Sequence, residues 1–133
     1  KVKMGYTDEK DYIMRMIKEM ARVLFSLAFG KTFTAVELEN EDQLRVSGKS
    51  LREWYDMVDR GEINEAENLL LDEIHYEVRE DVMAATLFYQ YVSEKEENFL
   101  QEHRYSKEEV LFGMEDLMKK SGYQDLLNLL ERE

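Results

Sequence analysis

Two histidines and a run of carboxylates are the side chains here whose spacing bears on metal or acid–base chemistry. Asp72 stands three residues before His75, with Glu73 and Glu77 beside it, so a helix through this stretch would place Asp72 and His75 on one face, within reach of a shared metal ion. A di-iron bundle needs that carboxylate–histidine pair twice, and the residue three before His103 is Leu100. Half the constellation is missing. Asp72 and His75 are weak metal candidates only, and the expectation is no metal, no cofactor and no catalytic residue. The carboxylates of Glu65, Glu67, Asp72, Glu73 and Glu77 read most simply as a solvated helix face. Cysteine is absent, which removes thiolate nucleophiles, cysteine-ligated zinc and disulfides together. The six glycines stand singly, so phosphate loops, dinucleotide fingerprints and nucleophile elbows are absent too.

The aromatic residues Trp54, Tyr55, Tyr76, Phe88, Tyr89 and Tyr91 are dense enough to line a pocket, although most have the size and type of core residues. Gly113 interrupts an otherwise helical run. A glycine there costs about 1 kcal/mol relative to alanine, so another helix or a ligand is expected close against that face.

The elements that would position these groups are nearly all helical. Proline is absent and Leu, Met, Glu and Lys are abundant, so local preference favours helix almost throughout. A first helix runs from a cap at Thr7 or Asp8 to Phe29, with Gly30 ending it. Ile13, Ile17, Met20, Leu24 and Leu27 form one apolar stripe, and Met14, Ala21, Phe25 and Ala28 a second beside it. Its polar strip, Asp11, Arg15, Lys18, Arg22 and Ser26, is narrow. Such a helix is buried on more than one side, either as the centre of the core or with Met14 and Phe25 in a homodimer seam through residues 8–29. Residues 31–49 break the helical pattern and read as an irregular loop or short hairpin.

Ser50 with Glu53 is a capping box that opens a helix to Arg60. Gly61 closes that helix, and Asn64 caps the next, with Glu67 reaching back to it; this helix is expected over residues 65–78. The next runs over 80–103, with Ser93 to Asn98 too polar to stay against the core. Ser106 with Glu109 is a second box, opening a helix to Lys120. Gly122 ends that one, and Tyr123, Leu126, Leu127 and Leu130 mark a short last helix.

At 133 residues the chain fits a single domain, 1–133, with residues 1–6 disordered or the three ahead of Met4 extraneous. The net charge of −12 is unevenly distributed: residues 1–60 carry 11 basic and 11 acidic side chains, and residues 61–133 carry 7 and 19. No Lys/Arg cluster suits phosphate, which argues against nucleic acid. Met20 to Phe29 is about half a bilayer span and contains Arg22, which argues against a membrane. The absence of cysteine is compatible with a reducing cytoplasm.

The stretch D-R-G-E-I-N-E-A-E-N-L-L, Asp59 to Leu70, resembles the helix-turn-helix of a tetratricopeptide repeat, with Gly61, Glu62, Ile63, Ala66 and Leu70 at the matching positions. Trp54, Ser50 and Glu73 depart from that pattern, and nothing recurs at a 34-residue step, so the resemblance covers one hairpin and no array. Over nearly its whole length, through M-G-Y-T-D-E-K-D-Y-I-M-R-M-I-K-E-M-A, R-G-E-I-N-E-A-E and R-E-D-V-M-A-A, the chain is similar to a family of small uncharacterised helical proteins from Firmicutes. That resemblance implies a bacterial cytoplasmic protein and carries no activity with it.

The resulting expectation is an all-α fold of five to six helices packed as antiparallel, tetratricopeptide-like hairpins. Its function would be that of a protein-interaction or regulatory module, with a protein partner or itself. Trp54, Tyr55, Met14 and Phe25 are the expected contact residues. The alternatives are a small-molecule or metal-binding bundle using His75, Asp72 and the tyrosines, and an acidic mimic of a phosphate backbone.

Overall fold

The computed structural model describes residues 6–29, 45–46 and 48–132. Among them lie seven helices and one minimal hairpin. In chain order these are α1 (Tyr6–Phe29), β1 (Arg45–Val46), β2 (Lys49–Ser50), α2 (Leu51–Asp59), α3 (Ile63–Glu73), α4 (Arg79–Ser93), α5 (Glu97–Glu102), α6 (Lys107–Lys120) and α7 (Gln124–Arg132). The expected all-α class is met. There is one more helix than the five to six anticipated, because the 80–103 run divides. Ser93 Oγ donates to the Gln90 carbonyl at 2.6 Å, and Glu96 turns extended at the start of α5. Ser93 is still buried, but the polar Glu94–Asn98 stretch has no apolar side chain to bury, so the chain leaves the core there.

The most extensive contacts join α1, α4 and α6. α1 buries Ile17, Met20 and Leu24 from its first stripe and Ala21 and Phe25 from its second, and exposes Asp11, Arg15, Lys18, Arg22 and Ser26. Leu27 and Ala28 fall among side chains outside the described set. α4 is apolar around nearly its whole circumference and buries Val82 through Tyr89, so it serves as the central helix. α7 covers α6 and α1 through Leu127, so the chain's last apolar stripe finds its groove within the same chain. One contiguous buried cluster extends from Met16 to Leu127.

Of the expected 31–49 segment, residues 31–44 and 47 lie outside the described residues. The rest forms the antiparallel pair Arg45↔Ser50 and Val46↔Lys49, turned at Gly48 (φ 78°), with Val46 buried and β1 packed on α4. Ser50 then caps α2 reciprocally: the Glu53 amide donates to Ser50 Oγ at 3.3 Å and the Ser50 amide to Glu53 Oε2 at 2.7 Å. Such a cap contributes about 1 kcal/mol. Among the described residues no helix is long and apolar enough to cross a membrane.

Candidate partner-binding groove

The link between α2 and α3 is set by Gly61, whose φ of 85° closes a Schellman motif. The Glu62 amide donates to the Met57 carbonyl and the Gly61 amide to that of Val58, both at 2.9 Å. The close fit has a second cause: a Cβ on Gly61 would stand 2.1 Å from the His103 ring. α3 starts at Ile63, two residues earlier than expected, so Asn64 and Glu67 are inside it and neither caps it. Asn64 Nδ2 instead donates to the carbonyls of His103 (3.4 Å) and Arg104 (3.2 Å), tying α3 to the end of α5.

Glu67 turns inward. Its Oε2 accepts the Tyr89 hydroxyl of α4 at 2.7 Å, and the carboxylate is half-buried. Burial raises its pKa. The hydrogen bond from Tyr89 and the nearby Tyr105 hydroxyl oppose that rise, and the nearby charge of Glu109 adds to it. The Tyr105 hydroxyl faces Glu67 and favours its charged form, but lies outside normal hydrogen-bond geometry. Burial, then the charge and hydrogen bonding of Glu67, push the Tyr89 and Tyr105 hydroxyls far above the usual phenol range, so both remain neutral donors. Among the described residues no Lys or Arg pairs with Glu67.

Around this carboxylate lies an open groove of about 330 Å³. Its first wall is one face of α3, Glu67 and Leu71 at spacing four. Its second is one face of α6, Glu109, Phe112, Gly113 and Asp116 at spacing three, one, three. Tyr89 closes the floor at the one point where α6 lacks a side chain, as expected for Gly113. Phe112 is 65 % exposed and Leu71 37 %. Two apolar anchors thus stand among three carboxylates. Asp116 has a local partner in Lys120 at 3.0 Å, and Glu109 accepts the Ser106 hydroxyl.

None of Leu71, Phe112 or Asp116 was singled out by sequence reasoning, and Glu109 was marked only as a helix cap. The signal was present: Val110, Met114, Leu117 and Met118 define the buried stripe of α6, and Phe112 falls on the opposite face, where an apolar residue is out of place.

The residues expected to contact a partner are placed elsewhere. Trp54 is 1 % exposed and meets Phe88 edge-on, with centroids 6.4 Å apart. Tyr55 is buried and stacks on Tyr91 at 3.9 Å. Asp59 completes this corner, accepting from the Tyr91 hydroxyl at 2.8 Å and from Lys95 at 2.5 Å. Phe25 is fully buried and Met14 half-buried in the chain's own core. Trp54, Tyr55 and Phe25 are therefore part of the packed scaffold.

Asp72 and His75 do not share a helical face. α3 ends at Glu73, five residues short of the expected 78, and His75 lies in the following turn. There its amide donates to Asp81 Oδ2 at 2.9 Å, with its Nδ1 3.5 Å from the same oxygen. Asp81, buried in the first turn of α4, thus stops α3 by taking the backbone of the link. Among the described residues no three His, Asp or Glu side chains converge to hold a metal ion.

A family model described as a family of unknown function, DUF6483, matches residues 7–122. The match takes in α1 to α6 and both walls of the groove. No curated protein and no solved structure matches the chain.

Proposed function

The chain belongs to DUF6483, a family of unknown function, and we propose that it is a protein-interaction or regulatory module whose contact surface is the groove between α3 and α6. The observation that carries this reading is Phe112, a large aromatic side chain projecting from an otherwise acidic helix face. Interface anchors are aromatic side chains in pockets with a polar rim, and Phe112 with Leu71 inside a ring of carboxylates has that composition. Charge selects the partner's chemistry: an amphipathic helix with basic residues beside its apolar stripe complements the groove.

On this reading the chain acts as one domain in a bacterial cytoplasm, the setting carried from its sequence resemblance. The tetratricopeptide-like geometry belongs to the same proposal. Ala66, the small residue such a hairpin asks for, is fully buried.

Calorimetric titration with a synthetic amphipathic helix of leucine and lysine tests the proposal, with a leucine–glutamate helix as control. The basic peptide should bind and the acidic one should not. Phe112→Ala should weaken binding about tenfold while leaving the melting temperature nearly unchanged. Equal affinity of wild type and Phe112→Ala would remove the groove from consideration.

A further inference from the structure

Resting on the groove reading above, we infer that the partner is anchored by a single cationic side chain that inserts between Leu71 and Phe112 and pairs with the half-buried carboxylate of Glu67. The three groove carboxylates are not equivalent. Asp116 already has Lys120, and Glu109 stands exposed at the rim beside Ser106. Glu67 is the inner one, held in a fixed orientation by the Tyr89 hydroxyl, with no cation beside it among the described residues. The Tyr105 hydroxyl is buried, has no hydrogen bond of normal geometry, and faces this same carboxylate. A carboxylate withdrawn from water with only phenol donors is incompletely compensated.

An arginine side chain supplies what the site lacks. Its alkyl stem would cover Leu71, its planar head would lie against the Phe112 ring, and its N–H groups would reach Glu67 with Glu109 behind. Gly113 keeps the carboxylate in place for that approach, since any larger residue there would push against the Tyr89 ring that orients Glu67. A pH dependence follows. The groups facing Glu67 are Tyr89 from α4, Tyr105 ahead of α6 and Glu109 from α6. Both tyrosines stay neutral, so the charge that decides binding is that of Glu67, with Glu109 at the rim behind it. Protonation of Glu67 removes the ion pair, and cation binding in turn expels a proton.

The test uses two synthetic amphipathic helices of leucine and alanine, identical except that one carries a central arginine and the other its neutral isostere citrulline. Each is titrated into wild type, Glu67→Gln and Phe112→Ala. The expected result is about tenfold tighter binding of the arginine peptide to wild type. That preference should vanish in Glu67→Gln, with citrulline-peptide binding unchanged. In wild type it should also fade as pH falls and Glu67 takes up a proton. If both peptides bind wild type equally, and Phe112→Ala weakens both, the groove stands and the anchor is overturned. If neither peptide binds any of the three proteins, the groove reading fails and the anchor fails with it. The comparison of the two peptides on wild type needs no variant, so a poorly folding Glu67→Gln leaves the inference decidable.

Discussion

The ring of Tyr89 occupies the space a side chain at position 113 would need: a Cβ on Gly113 would lie 2.4 Å from Tyr89 Cε1. This one contact brings α6 against α4 and sets the Tyr89 hydroxyl on Glu67 of α3. Three helices meet at one point, and the groove opens above it. Replacing Gly113 with alanine gains about 1 kcal/mol of helix propensity but forces a buried ring to move, at a cost of roughly 1–3 kcal/mol. Tyr89 cannot swing aside without giving up Glu67. We expect Gly113→Ala to be net destabilising by up to about 2 kcal/mol, read as a lower urea midpoint.

Gly61 and Gly122 both adopt left-handed backbone, at φ 85° and 94°, but only Gly61 is crowded. Alanine at either position costs about 1 kcal/mol from backbone strain alone. At Gly61 the His103 ring must also give way, together with its contact to Phe99 at 4.7 Å. Gly61→Ala should therefore destabilise by about 2 kcal/mol and Gly122→Ala by about 1. Equal losses in parallel denaturation curves would show that the His103 contact has no weight.

Phe25 separates core from interface on α1. It is fully buried within its own chain, so Phe25→Ala should cost about 3–5 kcal/mol. Half-buried Met14 should cost less on the same change. Light scattering at several concentrations completes the test: destabilisation with an unchanged mass assigns the second stripe to the core. A folded variant of halved mass would instead support a homodimer seam through residues 8–29.

Glu67 gives stability a definite pH slope. Burial is the main cause of its raised pKa, so folding favours the neutral carboxyl. The folded state then binds more protons than the unfolded one between the ordinary value of 4.5 and the raised one. The stability from this group is thus full below pH 4.5 and is lost as pH rises through the folded-state pKa. Glu67→Gln cannot titrate. Its melting temperature minus that of wild type should grow with pH across that window and then level off; a flat difference would show that Glu67 is not desolvated.

Much of the scaffold was legible because its signals are local. Ser50 and Glu53 cap α2 as their spacing implies, Gly61 and Gly122 close helices, and Gly113 marks a close approach. The misreadings came from contacts distant in sequence. Asn64 and Glu67 look like a capping pair, but His103, Arg104 and Tyr89 offered them better partners 22 to 40 residues away. α3 stops at Glu73 because Asp81 takes the His75 amide, which no helical periodicity reveals. Phe25 lies in an apolar stripe that suits a seam or a core equally, and only the packing of α4 and α6 against α1 shows that its own chain buries it. The groove escaped notice because it joins two stripes, 67/71 and 109/112/113/116, that only the fold brings together.

The groove itself is tested most directly by nuclear magnetic resonance of the 15N-labelled chain titrated with the arginine-bearing amphipathic peptide. The amide shifts should move as one cluster on α3 and α6, at Leu71, Glu109, Phe112, Gly113 and Asp116, and the same cluster should stay silent in Phe112→Ala. Shifts centred on Tyr12, Arg15 and Lys18 of α1, or no shifts when peptide is in large excess, would contradict the account.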